Sequence, residues 1–385
     1  MTPMADNVLG QDQRPRLFAV ADAAKIGFEP PTPRHGLAVR CYVRSLAGMQ
    51  KEAVVVTTAS DTAWRLVSDE GPYLAGYDEA PFPLAFMSAG MVASYFTEIS
   101  ALAEQRGVDL GDMELTLDNR YTMEGSALRG TMLGGSLPPT LKVTAGPDNG
   151  LCADALAGSP LHGLLRDAHS SVFTLTSNGK PLTLGRVAAL DVPALPDPAD
   201  RFEKITVDGP ADADRLMVRT EQARQHHGEG GAGSSLQADQ KRTLHVRATC
   251  TARPDGVKNI EINLFKPSGS SFHFVSDESG RAPDAATLVS AGIAFCFLTQ
   301  FGRYAAITKK RLDGYRIVQD THFSLGGASG GTGRVGEADA VETHVHLDTA
   351  EDDDWARTLV DMGEQTCFLH ALCRTPLRPS LTVSG

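Results

Sequence analysis

The eight residues SPLHGLLR (159–166) return 208 positions later as CFLHALCR (367–374), so that Leu161, His162, Leu164 and Arg166 are matched by Leu369, His370, Leu372 and Arg374. Outward from this pair the agreement continues in the same order. Leu37-Ala38-Val39-Arg40 returns as Leu244-His245-Val246-Arg247 at an offset of 207, and Val67-Ser68-Asp69-Glu70 as Val275-Ser276-Asp277-Glu278 at 208. Ser88-Ala89-Gly90 returns as Ser290-Ala291-Gly292 at 202. Four motifs in one order at nearly one spacing imply a chain written twice, and self-similarity of that kind fixes an architecture before single elements are read.

The expected division is an N-terminal extension over 1–34, a first copy over 35–186, a linker over 187–240 and a second copy over 241–385. The linker holds DVPALPDPADRFEK (191–204) and HHGEGGAGSS (226–235), whose Pro, Gly and Ser content offers little apolar surface against the entropy of ordering. Residues 205–225 between them have room for a short strand and helix.

Within a copy, short runs enriched in β-branched residues open the pattern: LAVRCYVRS, EAVVVTTA and WRLVSDE in the first, TLHVRATCTA, NIEINLF and SFHFVSD in the second. Each set predicts an antiparallel meander. Long apolar helices follow over 83–107 and 284–312, too apolar in their first half to lie on a surface. Then come MELTLDNRYTM and TLKVTAG, or YRIVQDTHFS and VETHVHLD, a second helix and a last strand. The order β-β-β-α-β-β-α-β predicts an α+β fold with antiparallel sheets around a buried central helix. Gly-rich stretches at 130–135 and 325–333 read as flexible loops, lacking the Lys and the strand-to-helix context of a phosphate cradle.

Composition narrows the function classes. Of 385 residues, 42% are hydrophobic and 22% charged, a globular balance, and the net charge of -11 with scattered basic residues argues against a nucleic acid partner. No purely apolar run approaches the roughly 18 residues of a membrane span, and the first residues lack the basic-then-apolar pattern of a secretory leader. Six cysteines are too sparse for a disulfide scaffold and fit a reducing, cytoplasmic compartment with one or two special thiols.

A Ser-Asp-Glu strand end, a Pro-led helix with Gly four residues before a Cys-Phe pair, and a second Cys opening the last helix resemble the OsmC family, which includes the organic hydroperoxide resistance proteins. The second copy supplies Ser276-Asp277-Glu278, Pro283, Gly292, Cys296-Phe297 and Cys367. The first supplies Ser68-Asp69-Glu70, Pro83 and Gly90, with Ser94 and Ser159 where the cysteines stand, so it reads as chemically retired.

The resemblance implies two OsmC-like domains in tandem, arranged as an intrachain pseudo-dimer, with further homo-oligomers open. It implies a thiol peroxidase in which Cys296 attacks a small organic hydroperoxide and Cys367 closes a disulfide on it. A dithiol, possibly a lipoyl protein, then reduces that bond. No cofactor or metal is implied. The family's activating arginine comes from an early strand, which makes Arg40 and Arg247 equal candidates beside Cys296. Its supporting carboxylate falls on Ala286 and Leu84 here, leaving Asp284, with Glu278 second, to take that role.

Two other classes compete. His344-x-His346 on one strand face, and Cys367, His370 and Cys373 at helical spacing, are thiolate and imidazole sets suited to Zn or Cu. A non-catalytic module holding a small ligand between the copies is the third reading. Cys373 also competes with Cys367 as resolving thiol.

Overall fold

The computed structural model describes residues 7–208, 215–222 and 240–384. The first half contributes β1 (Gly36–Ser45), β2 (Lys51–Thr57), β3 (Ser60–Ser68), α1 (Pro83–Arg106), β4 (Glu114–Gly125), β5 (Thr140–Thr144), α2 (Asn149–Gly158) and β6 (Val172–Ser177). The second contributes β7 (Gln240–Ala252), β8 (Lys258–Lys266), β9 (Ser271–Ser276), α3 (Ala285–Thr308), β10 (Leu312–Ser324), β11 (Glu342–Thr349), α4 (Asp353–Thr366), α5 (Phe368–Arg374) and β12 (Ser380–Ser384).

Neither half completes a sheet by itself. One sheet runs β6–β11–β10–β1–β2–β3, the other β12–β5–β4–β7–β8–β9. In each, three consecutive strands of one half are extended by two strands of the other. The joints are antiparallel and put Arg40 opposite Asp320 in the first sheet and Arg247 opposite Asp118 in the second. The sheets are not wholly antiparallel as the meander pattern suggested: β6 lies parallel to β11, and β12 parallel to β5. Each closing strand follows a helix that carries the chain from one sheet to the other, so it arrives beside a strand of the opposite half rather than its own predecessor.

α3 packs on β1, β2 and β10, α1 packs on β7, β8 and β4, and the two helices pack on each other between the sheets. Every residue from Ala285 to Phe301 is buried. By length and composition α3 could cross a membrane, contrary to the sequence expectation, yet its most apolar window is 94% buried within the protein. α3 also ends earlier than its sequence suggested, at Thr308, because Lys309 turns left-handed (φ 55°) and Leu312 already starts β10.

Two glycines permit this close crossing. A Cβ on Gly90 would lie 2.6 Å from the Ala285 carbonyl oxygen, and one on Gly292 would lie 2.8 Å from the Met87 nitrogen. Gly90→Val should therefore lower stability by about 3 kcal/mol, read from the denaturant midpoint, since helix backbone cannot step aside as a side chain can.

The ends of the first half are ordered on the outer face of the first sheet. Phe18, Phe28, Phe202 and Ile205 cover Tyr42, Val54 and Val318, and Asp197 accepts two 2.6 Å bonds from Arg316. Val207–Asp208 pairs with Leu17–Val20, and Met217–Glu221 with β9. The stretch 226–235, including His226 and His227, lies outside the described residues. The 325–333 loop is tied down: Gly327 donates to the Gly158 carbonyl (2.9 Å), and buried Glu98 accepts from the Ala328 and Ser329 backbone and the Ser329 hydroxyl.

Candidate active site

Cys296 lies in the buried middle of α3, 3% exposed, and Cys367 ends α4 and caps α5, fully buried. The two thiols are close enough to influence each other's ionisation, and both are free. The His370 N–H reaches the Cys367 sulfur at 3.5 Å, and the Leu369 backbone acts on Cys296 from the same turn. The geometry follows from the break between α4 and α5: Cys367 leaves the helical conformation (φ -73°, ψ 120°), so its side chain caps the first turn of α5.

Three groups from the first half complete the surroundings. Lys51 opens β2 on its core-facing side, 1% exposed, and donates to the Met49 carbonyl. Glu70, just past β3, accepts from Tyr73 (2.9 Å) and from Thr299 (3.1 Å), one turn beyond Cys296 on α3. Asp69 beside it accepts backbone N–H bonds from Glu70 (2.8 Å), Tyr77 and Glu79 (3.2 Å each).

Burial, then the neighbouring Cys367, pushes the Cys296 thiol well above its ordinary pKa; Glu70 adds to this and the Leu369 N–H opposes it. Burial lowers Lys51, against the attraction of Glu70, Asp69 and Cys296. Glu70 is raised by burial, with Lys51 opposing. At rest the sulfur is therefore a thiol, and Lys51 is the basic group that it attracts. Cys373, fully buried and pushed up to about 12 by burial, is also within electrostatic range of Cys296.

The arginines expected at the thiol are not beside it. Strand alternation puts Val39, Cys41 and Val43 toward α3, so Arg40 projects from the opposite face, where it makes a bidentate pair with Asp320 at 2.6 and 2.7 Å. Arg247, between core-facing Val246 and Ala248, likewise holds Asp118 through two 3.0 Å bonds on the outer face. Each sheet separates its arginine from the helices.

The expected carboxylates face the serine pair of the first half instead of Cys296. Asp284 caps α3, accepting from the Thr287 N–H at 2.6 Å, and Glu278 accepts from Thr97 at 3.4 Å and faces Lys258 at 3.6 Å. Both line a cavity of about 60 Å³ together with Ser94, Thr97, Leu161 and Ser329. There the Ser94 and Ser159 hydroxyls are 2.7 Å apart. Ser94 thus shares its cavity with Glu278 of the second half, itself beside Lys258, as Cys296 is acted on by Glu70 of the first half, itself beside Lys51. Sequence reasoning missed Lys51 because a Lys at a strand start reads as exposed. Its alternation with Ala53 and Val55 was the available signal.

The metal-ligand sets proposed from spacing are not assembled. His344 Nδ1 bonds to Thr174 Oγ1 (2.9 Å), and His370 stacks on Phe297 (4.7 Å) with both ring nitrogens buried and unpartnered. Among the described residues, one group of three acidic, His or Cys ligand atoms converges within 4.8 Å, that of Asp320, His322 and Glu342. Arg40 and Arg34 already hold the two carboxylates, the latter at 2.6 Å.

No family model matches the chain, and no curated protein matches it. Among solved structures, an OsmC-like hydroperoxide resistance protein from Jannaschia sp. CCS1 is similar at 20% identity, over 31% of this chain and 79% of that one, with a TM-score of 0.20. A likeness that slight adds no weight to the geometry.

Proposed function

We propose that the chain is a thiol peroxidase for organic hydroperoxides, made of two OsmC-like halves joined as an intrachain pseudo-dimer, with boundaries as read from the repeat. The observation that carries the reading is the closeness of the buried Cys296 and Cys367, which perturb each other's ionisation in a core that also buries Lys51 and Glu70. The Cys296 thiolate attacks the terminal peroxide oxygen, an S–O bond forms as the O–O bond breaks, and the alkoxide leaves as alcohol after taking a proton. Cys367 then attacks the sulfenic sulfur, an S–S bond forms and water departs. An external dithiol, a lipoyl group being the candidate, restores both thiols by exchange. Lys51 takes the activating role that the family gives to arginine. Six free buried thiols suit a reducing cytoplasm.

Cumene hydroperoxide with dithiol reductant is the direct test. Wild type should turn over and, after peroxide alone, lose two hydrogens with a 296–367 disulfide in its peptide map. Cys296→Ser should abolish turnover, and Cys367→Ser should accumulate sulfenic acid. Cys373→Ser should leave the disulfide unchanged. Absence of both turnover and disulfide would overturn the reading in favour of the ligand-binding module, for which the hydroxyl-lined cavity at Ser94 is the supporting observation.

A further inference from the structure

Arg303 follows Cys296 by seven residues on α3, which places it about 10 Å along the axis on nearly the same face. Thr299 and Gln300, both buried, are the polar residues between them on the helix. Arg303 is itself only 8% exposed. Among the described residues no carboxylate lies within 4.0 Å of its guanidinium, and no hydrogen bond takes up its five donors. The nearest acids are otherwise engaged: Glu70 by Tyr73 and Thr299, Asp69 by three backbone N–H groups.

A second positive charge, Arg242 of β7, lies within electrostatic range of Arg303; burial and that like charge lower the guanidinium to about 10. Glu70 acts on the guanidinium from a distance, and beside a second cation a largely buried guanidinium favours a further anion at direct range. Its planar fork fits a carboxylate through two parallel bonds.

We propose that Arg303 binds the carboxylate of a small organic molecule whose other end, about 10 Å away, reacts at the Cys296–Cys367 pair. The inference rests on the thiol peroxidase reading for the reacting end only. The carboxylate belongs either to the hydroperoxide or to the dithiol reductant.

Three measurements on the full chain decide it. An ω-hydroperoxy fatty acid should oxidise Cys296 about tenfold faster than its methyl ester, and Arg303→Met should erase that preference while leaving the ester rate within about twofold. A preference seen instead only in the reductive step, for dihydrolipoate over dihydrolipoamide, would assign the carboxylate to the reductant. Calorimetric titration with decanoate, against decanol, reads the site without any turnover. Wild type should bind the acid selectively and Arg303→Met should not. Should that variant fail to fold, Arg303→Lys and the wild-type comparison serve instead. Equal binding of acid and alcohol, with no preference in either half-reaction, overturns the proposal. Selective binding of decanoate with no oxidation by either peroxide sinks the peroxidase reading and leaves the carboxylate site standing.

Discussion

Lys51→Met is expected to slow oxidation of Cys296 by cumene hydroperoxide about 100-fold at neutral pH, the size of effect that follows loss of one preorganised electrostatic group. Attack requires a thiolate, and burial, Cys367 and Glu70 all push the thiol up. With Lys51 gone, Glu70 loses its strongest counter-charge and faces the sulfur with Tyr73, Thr299 and Arg303 around it. Below the thiol's raised pKa each pH unit should add about tenfold more thiolate, so the wild-type rate climbs with pH. It bends over once Lys51, itself lowered by burial, loses its proton. The variant's profile should lie at higher pH without that bend, and Lys51→Arg should recover part of the rate. Because buried Glu70 and Asp69 lose the cation beside them, the melting temperature should fall as well, so the rates are compared at a temperature where the variant is fully folded. A variant rate within about twofold of wild type would remove Lys51 from the mechanism.

His370 governs the second large effect, on stability. Burial, then Arg374, lowers this histidine from 6.5 to about 3, so the folded state keeps it neutral while the unfolded chain protonates it. The stability that neutrality contributes is complete above the unfolded pKa and is lost as pH falls from 6.5 toward about 3, at about 1.4 kcal/mol per pH unit. His344, lowered to about 4, acts in the same direction, whereas Asp69, raised to about 6, opposes it. The informative quantity is therefore a difference. His370→Leu, which keeps an apolar side chain against Phe297 and Phe173, should outlast wild type by about 3 kcal/mol at pH 4 relative to pH 7 in denaturant titrations. Parallel pH profiles would mean that the ring is protonated in the fold.

Much of this architecture was legible in the residues. The element order and the two long core helices follow from β-branched runs and apolar density, and the repeat marks Cys296 and Cys367 against Ser94 and Ser159. What linear order does not carry is which half supplies the groups around each pair. Asp284 and Glu278 are near Cys296 in sequence, yet they face Ser94, whereas Glu70 and Lys51, more than 200 residues before Cys296, face the thiol. Arg40 was a different kind of miss. The alternation in LAVRCYVRS already points it away from the core-facing Val39 and Cys41, and resemblance to a motif outweighed that simpler signal. The helix overrun into 309–312 has a local cause, a left-handed Lys309 that no propensity marks.

The exchange of strands between halves also bears on concentration and on inheritance. Two separate chains that complete each other's sheets come apart on dilution, whereas here the partner is always present at the effective concentration set by a covalent link. Two identical chains must also carry any substitution twice, once in each site. Because both sites lie on one chain, each can change without the other, and a pair of hydroxyls can occupy one while a pair of thiols is kept in its counterpart.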